Sequence, residues 1–117
     1  TVLQRQSTRM GTLGYAPESP HEQMHPDART DILALGMTLY RLLTGLDPTD
    51  EAQLQIMRRG VPSGSNLSIS PLTDAIVTRA IQIDRDKRYP NVLEMRRDLL
   101  AARYPVETAC PWCGHVQ

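Results

Sequence analysis

Residues 29–45 read Arg29-Thr30-Asp31-Ile32-Leu33-Ala34-Leu35-Gly36-Met37-Thr38-Leu39-Tyr40-Arg41-Leu42-Leu43-Thr44-Gly45 and carry the strongest helical pattern of this 117-residue chain. Apolar residues recur there at spacings of three and four. The expected stripe comprises Ile32, Leu35, Leu39 and Leu42, widened by Leu33, Gly36, Met37, Tyr40 and Leu43. A helix that is apolar on most of its surface is usually buried. The sequence therefore predicts a central helix, with Asp27 as its N-cap and Gly45 as a left-handed C-terminal cap.

A second helix follows, which Thr49 or Asp50 can cap and which stops near Gly60. Residues 60–70 are rich in Gly, Ser, Asn and Pro and are predicted to form a surface loop. Residues 1–27 are also predicted to form a loop, with at most one short helix after Pro17.

Two more helices are predicted beyond residue 70. Ser70 is a cap followed by Pro71 at the first helical position, and Asn91 with Glu94 three positions later forms a capping box. The expected buried residues are Leu72, Ile76, Ala80 and Ile83 in the first helix and Val92, Met95 and Leu99 in the second. No alternating run is long enough for a strand, so residues 17–104 are expected to be mainly α.

Composition and charge exclude several classes of function. The 13 basic and 13 acidic residues balance, so nothing indicates a nucleic-acid partner or a membrane surface. No segment approaches the roughly 20 consecutive apolar residues of a membrane span, and no signal-peptide pattern is present. The chain is therefore expected to be cytoplasmic, while the intact protein can carry a membrane anchor elsewhere. Its two cysteines exclude a disulfide framework.

A second motif, Gly11-Thr12-Leu13-Gly14-Tyr15-Ala16-Pro17-Glu18, precedes the central helix. An Ala-Pro-Glu step of this kind follows the activation segment in the signature of protein kinases. The order of elements resembles the C-terminal lobe of bacterial serine/threonine protein kinases. The Ala-Pro-Glu motif comes first, followed by the central helix, a short helix, and two helices separated by a charged link. The resemblance covers residues 1 to about 104 and is most specific over residues 31–45 and 84–97.

The resemblance implies a fold and a division of the chain. The fold would be the helical C-terminal lobe of the protein kinase-like fold, truncated so that the N-terminal lobe is missing. Residues 1–27 would form the end of the activation segment and a substrate-docking loop. Residues 28–104 would form the helical lobe, and residues 105–117 a linker and the first knuckle of a zinc ribbon.

The resemblance also implies roles for residues of the two motifs. Thr12 would face the catalytic Asp and Lys of the family's catalytic loop and favour Ser/Thr substrates. Gly11 and Gly14 would keep the backbone slim enough for a substrate peptide to lie across it, although an ordinary glycine-containing turn is the alternative. Asp31 resembles the family residue that accepts backbone N–H bonds from the catalytic loop, because a buried carboxylate needs such donors. A simple N-cap is the alternative for Asp31.

Glu18 and Arg88 resemble a charge pair that fastens the activation segment to the link between the last two helices. The spacing departs from the family pattern, because the family glutamate, counted from Gly11, would fall one residue after Glu18. Residues 19–23, which read Ser-Pro-His-Glu-Gln, offer a second match with His21 inserted. Glu18 is the preferred partner of Arg88, and Glu22 is the alternative.

Ser7 and Thr8 are candidate phosphorylation sites, because a phosphate beside Arg5 and Arg9 would make charge-assisted hydrogen bonds that order the loop. An exposed Ser-Thr pair without a regulatory role is the alternative.

The C-terminal residues Cys110-Pro111-Trp112-Cys113-Gly114-His115 have the spacing of one zinc-ribbon knuckle. Two thiolates need two further ligands and only His115 is at hand, so the chain is expected to bind zinc weakly or between two chains. An exposed tail without a metal site is one alternative. A thioredoxin-like redox motif is another, but it would need a βαβ context. His21 and His25 lack nearby carboxylates or thiols and are expected to be solvated loop residues.

The resemblance implies that the intact protein transfers phosphate from Mg-ATP to Ser or Thr of protein substrates. These 117 residues contain no Gly-rich loop, strand lysine, His-Arg-Asp or Asp-Phe-Gly motif. The chain alone is therefore expected to bind no ATP, to be inactive, and to need the N-terminal lobe and the catalytic loop. A stand-alone helical interaction module with a metal-binding tail and a pseudokinase remnant are the alternatives.

Overall fold

A computed structural model of the chain describes residues 13–103. Five α-helices lie in this part of the chain: α1 (Pro20–Met24), α2 (Ala28–Thr44), α3 (Glu51–Arg59), α4 (Pro71–Ala80) and α5 (Val92–Arg103). Short 3-10 helices cover Pro62–Gly64 and Arg85–Lys87. No strand occurs between residues 13 and 103, so the prediction of a mainly helical fold is confirmed. None of these helices is long and apolar enough to cross a membrane.

Helix α2 begins and ends at the predicted residues. The Asp27 carboxylate accepts a hydrogen bond from the backbone N–H of Arg29 at 2.8 Å, and the Thr30 hydroxyl accepts one from the backbone N–H of Asp27 at 3.1 Å. At the other end, Gly45 adopts a left-handed φ of 80° and its N–H donates to the carbonyl of Arg41 at 2.7 Å. Both predicted caps of this helix are confirmed.

The other three long helices also begin at predicted caps. Asp50, rather than Thr49, caps α3 through a 3.0 Å hydrogen bond from the backbone of its second residue. Ser70 caps α4 by accepting from the backbone of the helix, and the Asn91 side chain accepts from the N–H of Glu94 at 3.0 Å at the start of α5. Local hydrogen-bonding chemistry therefore fixes these helix starts.

The core lies where α2 packs against α4, with α5 packed on α4 as well. Its most deeply buried apolar residues are Leu33, Met37, Tyr40, Met57, Ile76, Val77, Ala80, Tyr89 and Met95. The axes of α2 and α4 approach closely at Gly36, where an added Cβ atom would lie 2.7 Å from both Ala80 Cβ and Ile81 Cγ2. Glycine at this position permits the close approach of the two helices.

The buried face of α2 is rotated from the predicted stripe. Ile32 is buried and Leu39 packs against the core, but Leu35 is exposed and Leu42 is 75% exposed. The core side of α2 runs through residues that were predicted to widen the stripe, and four of these are buried as expected: Leu33, Gly36, Met37 and Tyr40. A helical spacing shows which residues share a face, but the covering element decides which face is buried.

Similar corrections apply to the last two helices. Ile76, Ala80 and Met95 are buried, and Leu99 packs against the core, as predicted. Three residues predicted to be buried are exposed, and they are Leu72, Ile83 and Val92. Helix α4 ends at Ala80, so the position that the helical spacing assigned to Ile83 lies beyond the helix.

Candidate functional site

Arg88 and Glu22 form a buried ion pair between the link that precedes α5 and helix α1. Their side chains are 0% and 3% exposed. Arg88 Nη1 lies 2.6 Å from Glu22 Oε2, and Nη2 lies 3.0 Å from Oε1. This two-point fork is the strongest geometry available to an arginine and a carboxylate. The predicted pairing of Arg88 with Glu18 is therefore wrong, and the alternative partner, Glu22, makes the contact.

The remaining N–H groups of Arg88 are also hydrogen-bonded. Nε donates to the carbonyl of Gln82 at 2.6 Å, Nη1 donates also to the carbonyl of Arg29 at 3.0 Å, and Nη2 donates also to the carbonyl of Ile83 at 3.1 Å. Burial of a guanidinium is costly unless its donors are satisfied. Arg88 thus joins α1, the start of α2 and the link after α4 at one point.

The side chain of Glu22 remains ionised in this buried environment. The Thr30 hydroxyl donates to Glu22 Oε2 at 2.7 Å, in addition to the fork from Arg88. Burial by itself raises the pKa of Glu22, but the hydrogen bonds from Arg88 and Thr30 and the positive charges of Arg88 and Arg85 lower it below the ordinary 4.5. The net effect favours the carboxylate form.

A short capping pattern, which was not among the sequence predictions, places Glu22 on a helix. Ser19 caps α1 by accepting from the backbone N–H of Glu22 at 3.3 Å, and Pro20 occupies the first helical position. This Ser-Pro-x-Glu pattern is the sequence signal for the correct partner of Arg88. It also places His21 in α1 rather than in a loop, with its ring centroid 4.9 Å from that of His25.

Glu18 pairs with a different arginine, Arg58 at the end of α3. Arg58 Nε lies 3.1 Å from Glu18 Oε2, and Nη1 donates to the carbonyl of Ile81. Burial lowers the pKa of Arg58, the Glu18 charge opposes that shift, and the nearby Arg88 charge adds to it. The two carboxylates considered as alternatives are therefore held by two separate arginines.

An outer group of ion pairs surrounds the start of α2. Arg29 lies 2.7 Å from Asp27 and 2.6 Å from Asp86, and Arg85 lies 3.3 Å from Asp27. The hydrogen bonds from Arg29 are the largest cause of the lowered pKa of Asp27. Since Asp86 and Arg85 belong to the link before α5, these pairs reinforce the junction made by Arg88. These ion pairs were not predicted from the sequence.

Gly14 is buried and has a structural reason to be glycine. Its φ is +84°, and an added Cβ atom would lie 2.3 Å from the carbonyl oxygen of Pro48. Beside it, Arg41 Nη1 donates to the Tyr15 hydroxyl at 3.3 Å. Within the described residues, glycine at this position permits close packing on the loop between α2 and α3. Its expected role beneath a substrate peptide stays a prediction.

Asp31 is exposed in the first turn of α2, four residues after the N-cap Asp27. The alternative prediction that Asp31 is itself the N-cap is therefore wrong. Its carboxylate makes no hydrogen bond or ion pair with any residue between 13 and 103. It borders two surface depressions, one beside Pro17 and Pro26 and the other beside Val92. Asp31 is thus available to a segment outside the described residues.

The other predicted functional residues lie outside the described part of the chain. They are Gly11 and Thr12 of the glycine motif, Ser7 and Thr8, and the tail residues Cys110, Cys113 and His115. Within residues 13–103, no group of three or more His, Cys, Asp or Glu side chains is placed to hold a metal ion.

Comparison with known proteins finds relatives among bacterial kinases, although no family model matches the chain. Serine/threonine-protein kinase PknB of Mycolicibacterium smegmatis is 32% identical over 98 residues, which is 78% of this chain. Serine/threonine-protein kinase PksC of Streptomyces coelicolor is 32% identical over 92 residues, or 73% of the chain. A probable serine/threonine-protein kinase of the same organism is 34% identical over 99 residues, or 79% of the chain. The chain spans about 16% of the length of the first two relatives and 15% of the third.

Proposed function

We propose that this chain, whose homologues are bacterial serine/threonine protein kinases, forms the substrate-side part of such a kinase. The whole protein would transfer phosphate from Mg-ATP to Ser or Thr of protein substrates. The observation that carries the proposal is the Glu22–Arg88 fork, because it fastens α1 and the segment before it to the rest of the lobe. A fixed segment is what positioning of a protein substrate requires.

The exposed face of α2 supports this proposal. We define this face by Asp31, Leu35, Thr38 and Leu42, which follow one another at spacings of four, three and four and are all exposed. It combines apolar side chains with a carboxylate that has no partner in residues 13–103. Such a face suits a covering segment that offers apolar contacts and backbone N–H donors. We assign that role to the catalytic loop of the whole kinase.

In this proposal, residues outside the described part of the chain bind ATP and catalyse phosphate transfer. The described residues offer no cluster for a metal ion, and the chain contains no Gly-rich loop, strand lysine, His-Arg-Asp or Asp-Phe-Gly motif. In this proposal the N-terminal lobe and the catalytic loop hold Mg-ATP. Thr12 and Gly11 take part in substrate selection, and Ser7 or Thr8 is a regulatory phosphorylation site. The protein acts in the cytoplasm.

The tail adds a metal site to the proposal. Cys110 and Cys113, with His115 as a third ligand, form one zinc-ribbon knuckle. Because three ligands leave a tetrahedral site incomplete, one chain should bind zinc weakly. Titration of the 117-residue chain with Zn²⁺, compared with a Cys110→Ser variant, measures this affinity.

The experiment that tests the proposed function is a segment exchange with a related kinase, followed by an assay of phosphate transfer. The homologous 98-residue segment of M. smegmatis PknB is replaced by the corresponding residues of this chain. The chimaera is expected to transfer phosphate to a protein substrate, whereas a folded chimaera without transfer would contradict the proposal. The 117-residue chain alone should show no saturable rise in melting temperature with Mg-ATP, and such a rise would contradict the assignment of ATP binding to other residues.

A further inference from the structure

Two histidines stand one helical turn apart on α1. Residues 21–25 read His21-Glu22-Gln23-Met24-His25, which is the His-Glu-x-x-His pattern of zinc-binding helices. His21 lies in α1, and His25 is the residue that caps its C-terminal end. Residues four positions apart share one face of a helix. The two ring centroids are accordingly 4.9 Å apart, with the ring planes inclined at 45°.

This spacing suits a metal ion shared by the two rings. Zinc binds a histidine nitrogen at about 2.1 Å, so the ion lies about 3.2 Å from the ring centroid. Two rings that meet one ion at an angle of about 90° to 109° therefore have centroids about 4.6 to 5.3 Å apart. The observed 4.9 Å falls within this range.

The ring nitrogens of the pair are available to a ligand. Both side chains are exposed, and neither ring makes a hydrogen bond or an ion pair with any residue between 13 and 103. The nearby Arg85 donates to the backbone carbonyl of His25 at 2.7 Å and leaves the imidazole unoccupied. Neutral imidazole is the commonest metal ligand in proteins.

The charged side chains around the pair do not oppose a cation. Outside the Glu22–Arg88 fork, they line the depression that His21 borders or lie two residues beyond His25, and they are Asp27, Arg29, Asp84, Arg85 and Asp86. Each of the two arginines lies within ion-pair distance of an aspartate, at 2.6 Å from Asp86 and at 3.3 Å from Asp27. Asp84 has no ion-pair partner among the described residues, so the local balance of charge is negative.

The environment of Glu22 excludes the hydrolytic chemistry of His-Glu-x-x-His enzymes. In those enzymes the glutamate acts as a general base on metal-bound water. Here Arg88 engages both carboxylate oxygens, at 2.6 and 3.0 Å, and the Glu22 side chain is 3% exposed. The pattern therefore supplies metal ligands from one face of α1 while its glutamate serves the buried junction.

We propose that His21 and His25 bind one divalent transition-metal ion of the Zn²⁺ type, through one nitrogen each. No third His, Cys, Asp or Glu side chain within residues 13–103 completes the group, so water fills the other positions. Helix α1 has only five residues, and a helix of this length is not stable by itself in water. The shared ion ties together the turn that presents Glu22 to Arg88, and metal binding thereby stabilises the junction.

Nuclear magnetic resonance of the imidazole nitrogens tests the proposal in a Cys110→Ser/Cys113→Ser chain, which lacks the thiolates of the tail. The chain has three histidines, so each ring can be followed separately. The signals of His21 and His25 should change together, at Zn²⁺ concentrations at least about tenfold below those that affect His115. Mg²⁺, which prefers oxygen ligands, should have no effect. A change in only one ring of the pair, or equal changes in all three rings, would overturn the proposal.

Single substitutions separate a shared ion from binding to isolated histidines. His21→Gln and His25→Gln should each weaken Zn²⁺ binding at least about tenfold, because one nitrogen cannot chelate. The matched control His115→Gln should stay within about twofold of the parent. Both residues of the pair are exposed, so these variants keep the fold. A variant of either residue that binds Zn²⁺ as tightly as the parent would overturn the proposal.

Thermal unfolding tests the effect of the ion on the junction. Saturating Zn²⁺ should raise the melting temperature of the Cys110→Ser/Cys113→Ser chain by several degrees, because the ion binds the folded form. The same addition should leave the melting temperature unchanged when His25→Gln is also present. A rise that persists in that variant would contradict a stabilising ion on α1. These measurements involve no phosphate transfer, so their outcome is independent of the proposed function.

Discussion

At the scale of single residues, Arg88 and Glu22 differ from the surface ion pairs of the chain in their burial. The side chains of the Arg97–Glu94 pair are 73% and 39% exposed, whereas those of Arg88 and Glu22 are almost fully covered. An exposed pair is screened by water, but a buried charge left without its partner is strongly unfavourable. Substitutions in the two pairs therefore compare how much a buried and an exposed ion pair contribute to the stability of the fold.

Removal of either buried partner should destabilise the fold severely. We expect Arg88→Ala or Glu22→Ala to lower the free energy of unfolding by about 3–5 kcal/mol, because the remaining charge is buried without a partner. Arg97→Ala, the matched control, should cost at most about 1 kcal/mol. Urea unfolding followed by circular dichroism measures all three. Equal costs for Arg88→Ala and Arg97→Ala would contradict the role given to the fork.

Glu22 should also make the stability of the fold sensitive to acid. Its pKa in the folded chain is lower than the ordinary 4.5, so near that pH the unfolded chain binds more protons than the folded one. The stabilisation is complete above the unfolded pKa and is lost as the pH falls through the lower folded pKa. Unfolding measured at a series of pH values should show this loss.

The matched variants for the acid experiment are Glu22→Gln and Glu51→Gln. Glu22→Gln should flatten the decline of the free energy of unfolding below the ordinary pKa of 4.5, because the titrating group is gone. Glu51→Gln, which alters an exposed residue of α3, should leave the decline in place. An identical decline in the Glu22→Gln variant would assign it to other carboxylates.

The choice between Glu18 and Glu22 shows a limit of sequence reasoning at this scale. Counting from Gly11 placed the pair near Glu18, but a count along the chain does not give the path of the backbone. The cap at Ser19 turns the chain into α1 and directs Glu22 towards Arg88. The residue types of the pair were predictable, and Glu22 was among the two candidate carboxylates. The count from Gly11 favoured Glu18 because it took no account of the short helix that the Ser19 cap begins.

At the scale of helices, the starts were predictable and the buried faces were only partly so. Asp27, Asp50 and Ser70 act within a few residues of themselves, so local chemistry is sufficient to predict their caps. Leu42 and Val92 have the right spacing for a core but are exposed. Burial depends on which distant segment covers a helix, and that information is not contained in the helix itself.

The close contact between α2 and α4 at Gly36 gives a prediction for this residue. Gly36→Ala should place a methyl group against Ala80 and Ile81 and push α2 away from α4, at a cost of about 1–3 kcal/mol. The better helix propensity of alanine offsets about 1 kcal/mol of that cost. Thermal unfolding compares this variant with Gly64→Ala, since an added Cβ at Gly64 meets no atom within 4 Å. A stabilised Gly36→Ala variant would show that the helices can separate without loss.

At the scale of the whole molecule, the exposed face of α2 should cause the isolated chain to associate. Leu42 is 75% exposed on the helix that also forms the core, and exposed apolar patches of this kind are usually covered. We expect sedimentation velocity to show self-association that decreases in a Leu35→Gln/Leu42→Gln variant. Leu67→Gln is the control, because Leu67 is 92% exposed but lies in the loop before α4. A monodisperse monomer at high concentration would favour the stand-alone interaction module instead.

Asp31 carries the central claim, which is that this face of α2 receives the catalytic loop of a kinase. The most direct measurement is kcat/KM for phosphate transfer by the PknB chimaera and its Asp31→Asn variant. We expect a loss of at least about tenfold, because a carboxylate that holds the catalytic loop contributes more than about 1.4 kcal/mol to its position. Glu51→Gln, which also removes an acidic residue from the first turn of a helix, should change kcat/KM by less than about twofold. Equal activity of the parent chimaera and its folded Asp31→Asn variant would contradict the claim.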